Sequence, residues 1–475
     1  MFELIKTKKH IEQYLLDVAS GAAKGTHVFF LGIGGIGMSA LARYFNSKGV
    51  VVSGYDKTVT ELTKQLQEEG IRIHFEDSIE LLDKDADCVV YTPAIPKDHQ
   101  ELNYYLNHDY AVLKRSEILG LITNASYGVC VAGTHGKTTT STMIAHILKD
   151  SGLGCNAFLG GISSNYQTNF WSSEQNLCVV EADEYDRSFL KLNPSIGVIT
   201  AMDPDHLDIY ENEENFKKAF VDFGAKVKTD GLLISKYGLR EFENFNSASH
   251  LTYSINNNEA SCSAYNISIN EGSYFFDVKI GDKVIQNVVL NMGGEHNIEN
   301  ALAAIVVADY LKISEEKIKN AVFSFKGVKR RFEYVVKKDS IVMIDDYAHH
   351  PEELLALING TKGLYKNRKC TIVFQPHLFS RTRDFVKGFA AALGLADEVL
   401  LLPIYPAREL PIPGVESEMI MNAMDLKNVA CCSKEELLEI IKNKKQNKEL
   451  DILITAGAGD IDALVPAIRN ILNDF

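Results

Sequence analysis

The segment Gly133-Thr134-His135-Gly136-Lys137-Thr138-Thr139 has the residue types, in the order, that hold a phosphate chain. It follows the apolar run Tyr127 to Ala132 and opens a helical pattern from Thr140 to Asp150. A strand, a glycine-rich turn and a helix N-terminus make an anion site, because backbone N–H groups and the helix dipole converge there. Lys137 adds a point charge for the β- and γ-phosphates, and Thr138 a hydroxyl for Mg²⁺. Val131 stands where the full P-loop pattern has its first glycine, so the match is partial. The plain alternative is a turn that merely starts a helix. The Lys-Thr-Thr run favours a nucleotide.

A second glycine turn comes earlier. Gly32, Gly34 and Gly37 form G-x-G-x-x-G, with Gly35 and Ile36 inside it, between the strand-like His27 to Leu31 and a helical run from Met38 to Ser47. Asp56 follows about 20 residues on, at the end of the next apolar run. The pattern reports a diphosphate held by backbone. NAD and a UDP-sugar both carry one, so it does not choose between them. Thr92, before Pro93, could line the same crevice or simply serve the turn.

Glu181 closes the apolar run Leu177 to Val180, within Glu181-Ala182-Asp183-Glu184. A carboxylate at a strand end beside a phosphate loop is the Mg²⁺-holding arrangement of nucleoside triphosphatases. His206, in Asp205-His206-Leu207-Asp208, is a second candidate metal ligand. His296 and Asn297 open a helix, where they could read a purine edge or cap the helix. Asp345-Asp346-Tyr347-Ala348-His349-His350-Pro351 and Phe374-Gln375-Pro376-His377-Leu378-Phe379-Ser380-Arg381 each follow an apolar run. Ligands of open α/β sheets bind at such strand ends. Arg381 has the planar fork that suits a carboxylate.

These residues need α/β elements to position them. Short apolar runs alternate with helical patterns in three successive units, with boundaries near 125 and 335. The predicted domains are 1–125, 126–335 and 336–475. From His250 to Leu290 the texture shifts to short alternating runs with a Gly281-Asp282 turn, which predicts an antiparallel excursion. A chain of 475 residues has room for two to four domains. The net charge of −14 argues against general nucleic-acid binding. The eight cysteines show no C-x-x-C spacing and read as reduced thiols. No signal-peptide layout and no membrane-length apolar run are present, so a cytoplasmic protein without a membrane span is expected.

Taken in order, the Gly32–Met38, Gly133–Thr139, Glu181–Glu184, Asp205–Asp208, His296-Asn297, Arg330-Arg331-Phe332-Glu333 and Asp345–Pro351 segments resemble the Mur ligases across essentially the whole chain. The resemblance implies three domains: a Rossmann-like one for a UDP-sugar, a P-loop-type one for ATP and a Rossmann-like one for an amino acid. It implies that ATP phosphorylates the lactyl carboxylate of UDP-N-acetylmuramate and that the amine of L-alanine attacks the acyl phosphate. The runner-up is a recycling ligase that adds a tripeptide to the same sugar. The diphosphate would lie on Gly32, Gly34, Gly35, Ile36, Gly37, Asp56 and Thr92. ATP would lie on Gly133 to Thr139, His296, Asn297, Arg331 and Asp346. Lys137, Glu181 and His206 would be catalytic, with Mg²⁺ on Thr138, Glu181 and His206. His349, His377 and Arg381 would position alanine. Leu378 departs from the family, which often carries Arg there, and leaves Arg381 or Arg383 for that contact. A monomer or weak homodimer is expected.

Overall fold

The computed structural model describes residues 8–204, 207–239, 244–245, 247, 249–407 and 409–473. Three sheets follow one another along the chain. In the first, five parallel strands run in the order Arg72–His74, Val51–Tyr55, His27–Leu31, Cys88–Tyr91 and Val112–Lys114. The strand order reverses beside His27–Leu31, so a crevice opens at its carboxyl end, where Gly32 begins. The two edge strands were not legible in the sequence. They are three residues long and only part-buried, so neither carries an apolar run.

The second sheet has ten strands. Its centre is Tyr127–Ala132, flanked in parallel by Ile196–Ile199 and Leu177–Glu181. Val129, Val131, Val179 and Val198 are fully buried, which is why these strands read as unbroken apolar runs. Helix Lys137–Asp150 begins at Lys137, three residues before the apolar pattern suggests, because left-handed Gly136 is its N-cap. The antiparallel part is narrower than the texture predicts. His250–Ile255 pairs in parallel with both neighbours, and only Cys262–Asn270, Ser273–Ile280 and Lys283–Leu290 form the antiparallel meander. Alternation cannot report strand direction, which the connections decide.

The third sheet runs Glu333–Lys337, Val342–Asp346, Ile452–Ala456, Cys370–Phe374, Glu398–Leu401 and Val429–Cys431. All its pairings are parallel except that of the first strand. Among the described residues no helix is long and apolar enough to cross a membrane.

Specific contacts join the three sheets. Asn169 donates to the Ile36 carbonyl at 2.5 Å and accepts from Arg43, whose guanidinium also forks onto Glu69. This seats helix Ile36–Ser47 of the first unit on strand Thr168–Trp171 of the second. Across the other seam, a Cβ at Gly293 would run into the ring of Phe332, and one at Gly360 would lie 3.4 Å from Gly294. Glycine at these points lets the third unit come close.

Candidate active site

The phosphate loop is braced from behind. Gly133 has φ +139° and Gly136 φ +82°, conformations that only glycine adopts readily. A Cβ on Gly133 would collide with Thr200 Oγ1, and one on Gly136 would lie 2.6 Å from Asn300 Oδ1. Thr200 Oγ1 donates to the His135 carbonyl at 2.5 Å, and the Thr134 N–H donates to the Ala201 carbonyl at 3.2 Å. The loop is thereby fixed with the first turn of helix Lys137–Asp150, including Thr139, at its mouth.

Lys137 Nζ lies 2.6 Å from the Gly133 carbonyl and 2.7 Å from Glu184 Oε2. Thr138 Oγ1 donates to Glu181 Oε1 at 2.9 Å, and the Gly160 N–H donates to Oε2 at 3.0 Å. Burial pushes the Glu181 carboxyl up, while Arg331, Lys137 and the Thr138 hydroxyl pull it down. The Thr138–Glu181 pair fits Mg²⁺, which is commonly bound through one or two carboxylates with phosphate and water completing the shell. His206, the third predicted metal ligand, lies outside the described residues.

His296 stands beside His135, and burial leads the causes that hold its imidazole below the ordinary value. Asn297 is 3% exposed, and its amide is spent inside the protein. It donates to the Gly293 carbonyl at 2.6 Å and accepts from Asn300 at 2.9 Å, while Asn300 accepts from Thr140 at 3.1 Å. The amide chain ties helix His296–Tyr310 to the phosphate loop. Asp346 is likewise committed, accepting from the N–H groups of Phe332 at 2.7 Å and Ala348 at 2.8 Å. Burial lifts its carboxyl to about 6 against these donors and Arg331.

A cleft of about 960 Å³ lies between the first and second units, and every residue predicted for the diphosphate lines it. Asp56 accepts from the Gly34 N–H at 2.7 Å and the Thr58 N–H at 3.1 Å, so it holds the glycine turn in shape. A Cβ on Gly32 would meet the Thr92 methyl at 2.8 Å. Arg115, which sequence reading missed, reaches over Gly37 and faces Asp183 at 3.6 Å. It and Lys57 are cations lining the cleft. The signal for Arg115 was its position just after a strand too short to recognise.

On the third unit, His349, His377 and Arg381 come together. The rings of His349 and His377 are 6.0 Å apart, and Arg381 Nη1 is 3.3 Å from His377 Nδ1. Burial, then Arg381 and His349, hold the His377 imidazole below its ordinary value, so it is mainly neutral at pH 7. Leu378 takes φ +71° and starts helix Phe379–Leu393. Glu409 accepts from the Ser380 N–H at 2.9 Å in the first turn. Among the described residues no hydrogen bond or ion pair links this trio to Lys137 or Glu181. Three other site residues escaped the sequence reading of roles. Glu184 lay inside a motif already singled out. Gly160 had the signal of a glycine pair within a strand. Asn300 had none.

A phosphate loop with a Thr–Glu pair, a second diphosphate-type cleft and a His–Arg group on separate sheets define a nucleotide-dependent ligase. A nicotinamide dehydrogenase has no use for the second loop. Family comparison agrees over most of the chain. Residues 27–127 match the Mur ligase family catalytic domain, 131–308 the Mur ligase middle domain and 330–459 the Mur ligase glutamate ligase domain. The chain belongs to the Mur ligase family. It is similar to the UDP-N-acetylmuramate–L-alanine ligases of Christiangramia forsetii, 46% identical over 94% of this chain and 97% of that one, and of Phocaeicola vulgatus, 48% identical over 94% and 98%. The crystal structure of the Thermotoga maritima UDP-N-acetylmuramate–alanine ligase matches with a TM-score of 0.78 and 28% identity, covering 94% of this chain and 98% of that one.

Proposed function

We propose that this chain joins the amine of L-alanine to the lactyl carboxylate of UDP-N-acetylmuramate with cleavage of ATP, in cytoplasmic synthesis of peptidoglycan precursor. The observation that carries this reading is its 46–48% identity, along 94% of its length, to relatives that bear that name. The tripeptide-adding alternative is not favoured, since the relatives at 46–48% identity are named for L-alanine.

The domains would divide the work as 1–125 for the UDP-sugar, 126–335 for ATP and 336–475 for the amino acid. Carboxylate and triphosphate repel one another, so cations must lie between them. Lys137 and Arg331 supply fixed charge at the phosphate loop. Thr138 and Glu181 would hold Mg²⁺, which adds Lewis-acid charge neutralisation when bound. By family likeness His206 would hold a second Mg²⁺. His296 would edge the adenine pocket that Asn297 shapes from within. Asp346 would shape the ribose and phosphate end by fixing Phe332 and Ala348.

The γ-phosphoryl passes to the lactyl carboxylate and ADP leaves. The alanine amine then attacks the acyl carbon, and the tetrahedral intermediate expels phosphate. Arg381 would bind the alanine carboxylate, with His349 and His377 ordering the amine end. ATP and alanine groups stand on different units, so closure must unite them, which also shields the acyl phosphate from water.

Phosphate release with ATP, Mg²⁺ and UDP-N-acetylmuramate, with and without L-alanine, tests the reading. Release that needs both, with a sugar product heavier by one alanyl residue, is the expected result. Release with tripeptide but not with alanine overturns it.

A further inference from the structure

Arg330 sits at the seam between the second and third sheets, next to Arg331. Its backbone takes φ +59°, a region that side chains other than glycine rarely adopt. The fold holds it there from both sides. Its N–H donates to Glu333 Oε2 at 3.0 Å, and its carbonyl accepts from the Tyr347 N–H at 2.7 Å. Arg331 directs its charge to Glu181 and Asp346. The Arg330 guanidinium makes its contacts with the third unit instead. It donates to the carbonyls of Gly457 and, at 3.5 Å, Gly459, lies 3.4 Å from Asp462 and 3.7 Å from Asp345, and covers the Tyr347 ring at 4.9 Å.

The loop it grips follows strand Ile452–Ala456 and supports the alanine group from beneath. Gln375, two residues before His377, accepts from the Ile461 N–H at 2.9 Å and donates to Asp460 at 2.9 Å. Gly459 packs its bare face on Tyr405, where a Cβ would lie 2.6 Å from the Tyr405 Cβ. Tyr405 accepts from the Leu378 N–H at 3.0 Å, donates to the Pro376 carbonyl at 2.8 Å and stacks its ring on His377 at 5.8 Å. An unbroken run of contacts thus leads from Arg330 to His377, and His377 touches Arg381. A loop carrying two glycines has much conformational freedom to lose. A planar fork onto two of its carbonyls removes that freedom in a way an ammonium cannot reproduce.

We propose that Arg330 is a positioning residue for the amino-acid half of the reaction, acting through Gly457, Gly459 and Tyr405 on His377. The proposal rests on the reading that His349, His377 and Arg381 receive alanine. Arg330 touches neither the phosphate loop nor that trio, so its removal acts selectively.

The test compares Arg330→Ala, Arg330→Lys and Gly459→Ala in the full chain. KM for L-alanine and kcat are measured alongside the affinity for a fluorescent ATP analogue, which needs no turnover. A displaced supporting loop raises the alanine KM of Arg330→Ala by roughly tenfold. Nucleotide affinity stays within about twofold, because the Arg330 guanidinium bonds the Gly457–Gly459 loop and, among the described residues, makes no bond to the phosphate loop, Arg331 or Asp346. Arg330→Lys keeps the charge but not the fork, and shows a smaller rise. Gly459→Ala disturbs the same loop without removing a charge and shows the same selective rise, which keeps the test open if Arg330→Ala does not fold. An unchanged alanine KM in both loop variants, or an equal loss of nucleotide affinity, overturns the proposal. Arg381→Ala separates the two readings. If it raises the alanine KM and the loop variants do not, only the role of Arg330 fails. If the unaltered chain shows no alanine-dependent turnover, the assigned reaction fails first.

Discussion

Replacing Lys137 with Met removes the ammonium that faces Glu184 and keeps most of the side-chain volume. Glu184 is 2% exposed, and its carboxylate meets Lys137 at 2.7 and 2.9 Å. Breaking a buried pair by deleting one partner costs about 3–5 kcal/mol. Lys137→Met therefore loses about that much unfolding free energy. Adding Glu184→Gln removes the buried charge and restores stability to within about 1 kcal/mol, the size of one net hydrogen bond. Turnover stays abolished in both variants, because the phosphates still lack their cation. Urea unfolding followed by the fluorescence of Trp171, the single tryptophan, reports on the sheet that carries the loop. A Lys137→Met chain as stable as the unaltered one, or a double variant no more stable than the single one, refutes the reasoning.

Three further outcomes are expected. Gly160→Ala places a Cβ against the Glu181 carboxylate; overpacking costs about 1–3 kcal/mol of stability, and the displaced carboxylate raises the Mg²⁺ needed for half-maximal rate, so an unchanged Mg²⁺ titration contradicts it. Arg381→Ala raises the KM for alanine far more than that for ATP, and steady-state kinetics with each substrate varied in turn decides this. Asp345 is 2% exposed, and burial lifts its carboxyl to about 7. A raised folded value means that stability is present in acid and lost as pH rises toward 7. Asp345→Asn should therefore gain on the unaltered chain across that interval by on the order of 1.4 kcal/mol per pH unit, seen as unfolding midpoints that diverge from about pH 4 to about pH 7 and run parallel above it.

The sequence by itself determined the loops that hold phosphate and the strands that carry them. Gly32–Gly37 and Gly133–Thr139 were legible because each lies between a strand buried in all but its first residue and a helix start, where the apolar run and the glycines mark one boundary. His349, His377 and Arg381 were legible as residues at strand ends, and the sheet order then placed them together. What only the tertiary structure decided is how the polar groups are spent. Asp56, Asn297 and Asp346 have the chemistry of ligand contacts, yet Asp56 and Asp346 are consumed by nearby backbone N–H groups, and Asn297 by the Gly293 carbonyl and the Asn300 amide. Arg115 and Arg330 look like surface cations in the chain, yet one reaches over the Gly37 turn and the other clamps a loop more than a hundred residues away. The physical reason is that local sequence sets backbone conformation and apolar periodicity. The partner of a donor or acceptor is instead chosen by long-range packing, which brings together groups that carry no trace of each other in the local pattern.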